Sequence, residues 1–169
     1  STYSGAGGTG TIGHGLRSAA TFVIIKQRNG TNNWVVFAKG GQSSGADFAY
    51  MDGTSSWQDG SSSPIWQNTQ PSSTLVYLGD NNEVNHSSRT YVAYCWADCE
   101  GYIKSGSYSG NGSTDGTFVY TGFKPAFMLI KRHNRSGDYW YLLDATRNPF
   151  NGPGMQMLNA DGTIIESSH

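Results

Sequence analysis

GYIKSGSYSGNGSTDGTFVYTGFKPAFMLIKR, residues 101–132, restates with substitutions the way the chain opens. Tyr3-Ser4-Gly5-Ala6-Gly7 returns as Tyr108-Ser109-Gly110-Asn111-Gly112, and Phe22-Val23-Ile24-Ile25-Lys26 returns as Phe127-Met128-Leu129-Ile130-Lys131. Trp34-Val35-Val36-Phe37 then returns as Trp140-Tyr141-Leu142-Leu143. The matches keep one order and a nearly constant offset of about 105 residues, a length that suits one small domain. The sequence therefore reads as one complete unit, residues 1–100, followed by part of a second, residues 101–169.

Each copy carries a hairpin signal. In the first, two β-rich runs flank Asn29-Gly30, a dipeptide that accepts positive φ; in the second, they flank polar Arg135-Ser136-Gly137-Asp138. Continuous apolar runs of this length suit strands covered on both faces. Thr74-Leu75-Val76-Tyr77-Leu78-Gly79 reads as a further strand, and Arg89-Thr90-Tyr91-Val92-Ala93-Tyr94-Cys95-Trp96 as the strongest of all. Its two alternating side-chain sets are both largely apolar, which predicts a central strand. Residues 39–74 read as short strands and long loops, and residues 3–15 as a flexible Gly-rich loop. The second copy passes the turn signals Asn151-Gly152-Pro153-Gly154 and Asp161-Gly162 and stops without counterparts of residues 75–78 or 91–96. Without those strands it cannot close its own sheet, so either the first unit packs against it or a neighbouring subunit completes it.

The bulk numbers exclude several function classes. The net charge is −1 and no run of Lys or Arg occurs, so the footprint of a nucleic-acid binder is missing. Only 14% of residues are charged against 23 glycines and 13% aromatics, which favours strands and tight turns over charge-rich helices and an extracellular or virion-like setting. No apolar stretch is long enough to span a membrane, so no membrane insertion is expected. The absent initiator Met reads as an excerpt or a processed product. Cys95 and Cys99 would lie about 13 Å apart along one strand, too far for a disulfide, whereas a turn at Asp98 would permit one. Two reduced thiols are the simpler reading, and two Cys without a nearby His make no zinc site.

Gly5-Ala6-Gly7-Gly8-Thr9-Gly10 fits the dinucleotide-binding pattern formally, but too few residues precede it for a strand and a strand follows where a helix should stand, so no cofactor is expected. The acidic residues sit mostly beside Gly, Asn or Ser in turns, where they cap backbone N–H groups, and no paired carboxylates for glycoside hydrolysis stand out. His14, His86, His133 and His169 share no context and none aligns with another in the repeat. No catalytic residue is assigned. Asp80-Asn81-Asn82-Glu83 offers oxygen ligands without calcium-loop spacing and reads as a turn, so no metal site is expected. Aromatics beside Asn, Gln and Asp are what sugar-binding loops offer, and Trp57 with Asp59, and Trp66 with Gln67 and Asn68, form the candidate glycan-binding set.

Tyr91-Val92-Ala93-Tyr94-Cys95-Trp96, Gly101-Tyr102, Gly106-Ser107-Tyr108-Ser109-Gly110-Asn111-Gly112-Ser113 and Thr121-Gly122-Phe123-Lys124-Pro125-Ala126-Phe127 resemble motifs of a repeated domain. That domain occurs in virion structural and tail-fibre-like proteins of tailed bacteriophages, notably marine ones. The resemblance covers most of residues 91–147, and residues 39–74 only loosely. It implies a lectin-like, concanavalin-type jelly roll and supplies no catalytic or binding residue. The first unit departs from the pattern at Gly13-His14-Gly15-Leu16-Arg17-Ser18, where the Thr-Gly-Phe-Lys-Pro segment would stand.

The fold expected is thus an all-β antiparallel sandwich with an incomplete second repeat. The function expected is that of a non-enzymatic structural module of a phage virion or surface appendage, such as a tail fibre or decoration protein. It would act by self-association as a homo-oligomer or with other virion proteins. The alternative is a carbohydrate-binding adhesin module for host-surface glycans, and a depolymerase fragment is a third reading.

Overall fold

The two hairpins read from the repeat are both present, and the strands around them differ. The computed structural model describes residues 1–41, 45–62, 64–147 and 156–162 and the backbone of 167–168. Its strands are Thr2–Ser4 (β1), Gly10–Gly13 (β2), Phe22–Gln27 (β3), Val35–Ala38 (β4), Ala49–Tyr50 (β5), Leu75–Leu78 (β6), Thr90–Trp96 (β7), Phe127–Lys131 (β8), Trp140–Asp144 (β9), Gln156–Asn159 (β10) and Ser167–Ser168 (β11). No helix occurs among the described residues, and every strand pairing is antiparallel. The chain is therefore all-β.

The first copy forms a five-stranded sheet in the order β1-β7-β3-β4-β5, faced by the two-stranded ribbon β2-β6. The alternation of side chains sends Val23, Ile25, Val35, Phe37, Tyr91 and Ala93 to one face, where they meet Val76 and Leu78 of β6. Trp66 fills the centre edge-on to Phe37, ring centroids 5.9 Å apart. These two layers with the core between them make a sandwich. The jelly-roll wiring stays with the resemblance.

Against the sequence expectations, one changes, one holds in part and one holds. Residues 3–15 are not a free loop: β1 pairs with β7 and β2 with β6, each across a long sequence separation. β7 does lie inside its sheet, between β1 and β3, but Tyr94 and Trp96 on its outer face are exposed. Among the described residues of 39–74 the short strand β5 and a bridge between Phe48 and Gln58 stand amid loop, in keeping with the short strands and long loops expected. Cys95 and Cys99 are free thiols, and the expected turn at 151–154 lies outside the described residues.

The second copy repeats the first as structure, not only as sequence. β8-β9-β10 reproduces β3-β4-β5 within the sheet β11-β10-β9-β8. Lys26 stands over the Trp34 ring at 5.7 Å, and Lys131 over Trp140 at 5.8 Å. Trp34 N donates to Asp52 Oδ1 at 3.1 Å, and Trp140 N to Asp161 Oδ1 at 3.2 Å. Met51 N donates to Trp34 O at 2.9 Å and Ala160 N to Trp140 O at 3.0 Å. Asp52-Gly53 and Asp161-Gly162 are thus one turn written twice.

The outer face of β3-β4-β5 is where the second copy sits. Trp140 packs against Ile24, Val36 and Ala49 with 3% of its surface exposed. Its indole N–H donates to Tyr50 O at 2.8 Å, and Gly137 N donates to Thr54 O at 2.8 Å. Lys131 Nζ reaches Gly53 O at 3.3 Å and also donates to Asp138 O. Burial pushes the Lys131 ammonium below its usual range, against the pull of Asp161 and Asp138. Trp140→Ala is expected to destabilise the chain by about 3–5 kcal/mol, through lost burial and the cavity left. A denaturant titration checks this; a loss below about 1 kcal/mol would contradict the packing role.

Candidate assembly interface

The docking of β7 in the first copy shows what the second copy lacks. β7 lies between β1 and β3, with Phe22 opposite Trp96, Val23 opposite Cys95 and Ile25 opposite Ala93. Arg28 N donates to Thr90 O at 2.7 Å, so by alternation Lys26, Ile24 and Phe22 turn their backbone groups toward β7. On the other side of β3, Lys39 N donates to Thr21 O at 2.8 Å, and the same bond recurs from Ala145 N to Ala126 O at 2.9 Å. Phe127, Leu129 and Lys131 therefore aim their N–H and C=O groups away from β9. β8 is the last strand of its sheet, with no strand on that side among the described residues.

The face of β8 is as incomplete as its edge. Val23, Ile25, Val35 and Phe37 are fully buried, at 0% exposure. Of their counterparts Leu143 is buried, but Met128 is 39% exposed, and Ile130 and Tyr141 are only half-buried. Phe127 beside them is exposed too. An edge strand with uncovered apolar side chains is a template for pairing with another chain.

The Tyr-Ser-Gly motif tells the same story. In the first copy Tyr3 stacks on Tyr91 at 5.1 Å, and its hydroxyl donates to Val84 O at 2.7 Å. Burial, with Tyr91 and Cys95 beside it, pushes that hydroxyl far above its ordinary range, so it remains a donor. Asn85 then binds the glycines: Ala6 N donates to its Oδ1 at 2.9 Å, its Nδ2 donates to Gly8 O at 2.8 Å, and Gly7 N donates to its backbone O at 2.9 Å. The approach is so close at Gly5 that a Cβ there would stand 2.1 Å from His86 O. In the second copy Tyr108 is 53% exposed, and nothing lies within 4 Å of a Cβ placed on Gly110 or Gly112.

What holds the start of the second copy is Asp98. Its Oδ1 accepts from Thr21 Oγ1 at 3.0 Å and Ser105 N at 2.9 Å, and Lys104 Nζ lies 3.3 Å from Oδ2. Burial would raise the Asp98 carboxyl, but these donors outweigh it and leave it below the usual range. Beyond residue 107 the chain runs without strand to residue 126, carrying the exposed rings of Tyr108, Phe118 and Tyr120.

The residues singled out for glycan contact do not converge. Trp66 is 1% exposed inside the core and offers no face to a sugar. Trp57 is half-buried, stacked on His133 at 6.0 Å and backed by Gly41. Asp59 is exposed, its carboxyl held below the usual range by the Ser61 N–H and hydroxyl. Gln67 and Asn68 both take left-handed backbone, φ 53° and 52°, and Asn68 is exposed in the turn. Gln67 Nε2 donates to Gly10 O and to Leu78 O, both at 2.7 Å, and so ties the turn to the β2-β6 ribbon. The other exposed aromatic group is Tyr94 and Trp96 on β7, which line a cleft of about 300 Å³ with Ser1, His14 and Cys95. Burial pushes the Cys95 thiol up, away from reactive thiolate.

Among the described residues no three of His, Cys, Asp and Glu gather to hold a metal, and no helix is long and apolar enough to cross a membrane. The model of DUF7483, a domain of unknown function, matches residues 1–169, and the chain belongs to that family. No curated protein and no solved structure matches it. Gln67→Ala should destabilise the first copy by about 1–3 kcal/mol by stripping two carbonyls of their donor. It should leave far-ultraviolet circular dichroism unchanged at low temperature; stability within error of the parent would contradict the tie.

Proposed function

We propose that this chain is a non-catalytic structural module that works by association, with its incomplete second repeat as the joining surface. The observation that carries the reading is the β8 edge, whose counterpart β3 is paired on both sides while β8 is paired on one. Strand addition to such an edge supplies backbone hydrogen bonds and sets new side chains beside Met128 and Ile130. The exposed Phe127 adds apolar area to what the joint buries. The resemblance to repeated domains of phage virion and tail-fibre-like proteins supports a setting in a virion or surface appendage, where many copies stand at high local concentration. The adhesin alternative is weakened by the burial of Trp66 and the internal stacking of Trp57.

Sedimentation equilibrium at micromolar concentration is expected to give a mass at least twice the 18.2 kDa of one chain. Phe127→Pro removes an edge N–H that points away from β9, so it should spare the hairpin and return the mass to that of a monomer. A folded parent monomer throughout that range, or a Phe127→Pro variant that associates as well as the parent, would overturn the proposal.

A further inference from the structure

We infer that the second repeat binds a segment of the type Asn85 to Trp96 from a further repeat, inserted between Tyr108-Ser109-Gly110 and β8. The inference rests on the assembly reading and names its partner. In the first copy one stretch of chain both holds the Tyr-Ser-Gly motif and pairs with the edge of β3, the two contacts whose counterparts are open in the second copy. Asn85 and Val84 hold the Tyr-Ser-Gly motif, Tyr91 stacks on its tyrosine, and β7 fills the edge of β3. The second copy keeps the receiving half of each contact: Tyr108 for Tyr3, Gly110 for Gly5, Met128 for Val23 and Ile130 for Ile25. Those receiving groups are exposed or open together, as a site missing one common occupant would be.

The register follows from the first copy. The occupant's tryptophan would face Phe127, its cysteine Met128, its second tyrosine Leu129 and its alanine Ile130. Two intact copies of this chain cannot provide the strand without loss, because each β7 is already held between β1 and β3. They can meet only edge to edge, whereas a β7-type strand that is not already paired fills the whole edge. The occupant is thus repeat-derived and recognised by its Asn, its first Tyr and the alternation that follows. The glycine at position 110 is the selective feature: empty in this chain, it must stay small for the occupant's backbone to approach, as Gly5 does for His86 O.

The test uses a synthetic peptide of residues 83–98, EVNHSSRTYVAYCWAD, whose single thiol is that of Cys95. The full chain carries Cys95→Ser, Cys99→Ser and Met128→Cys. By the alternation above, Val23 and Cys95 form a non-hydrogen-bonded pair, whose Cα separation of about 4.5 Å suits a disulfide. Under a glutathione redox buffer the mixed disulfide should form at Met128→Cys at least tenfold more than at a control Arg135→Cys in the exposed turn. Adding Gly110→Ala should cut the yield at least tenfold while leaving the melting temperature of the chain unchanged, since nothing surrounds that position in the free chain. Equal yields at the two cysteines, or a yield indifferent to Gly110→Ala, would overturn the inference. If the peptide fails while the parent chain still associates, the assembly reading stands and the named partner falls. If the peptide docks while the parent is a monomer, the partner stands and self-association falls.

Discussion

β3 has a strand on each side of it; β8, built from the same pattern, has one. The backbone groups of a strand must find partners, and apolar side chains on a sheet face must be covered, so this difference decides how the two copies behave. In the first, Val23 and Ile25 vanish beneath the β2-β6 ribbon and Trp66, and the copy is closed. In the second, the equivalent face stays open, and the copy is held to the first through its other face by Trp140 and the backbone bonds near Tyr50 and Thr54. One hairpin sequence thus serves as the interior of a sandwich and as the rim of an unfinished one.

The unfinished state has energetic consequences. The segment from residue 108 to 126 lacks the partners that turn residues 3–13 into β1 and β2, so its aromatic rings meet solvent and little opposes its local opening. In the assembly proposed, burial would offset the ordering entropy such a segment costs, as in coupled folding and binding. Among the exposed aromatics of this stretch, Tyr108 is the counterpart of Tyr3, which in the closed copy stacks on Tyr91.

Much of this was legible in the sequence, and the gaps have physical causes. The runs at Phe22 and Phe127, with their turns, announce hairpins because periodicity and turn chemistry are local. β1 and β2 escape notice because they are short, flank a glycine-rich run, and are defined by partners far along the chain, Tyr91 and Val76 among them. Trp66 beside Gln67 and Asn68 looks like a sugar platform, yet the polar neighbours form the tight turn that drives the ring inward; only packing distinguishes the two. The pairing of Asp52 with Asp161 was hidden by an insertion that shifts the repeat spacing, although both stand in Asp-Gly turns. The role of Asn85 had no sequence signal except the doubled glycine motif it binds.

Amide hydrogen exchange resolved by residue along β3 and β8 tests the central claim most directly. In dilute, dissociated chain the amides of Met128 and Ile130, which face β9, should be protected while those of Phe127 and Leu129 exchange freely, against uniform protection of Phe22 to Lys26. On assembly the alternation in β8 should disappear. Protection of Leu129 equal to that of Ile24 in the dissociated chain, or continued free exchange of Leu129 in the assembled one, would contradict an open β8 edge as the joining surface.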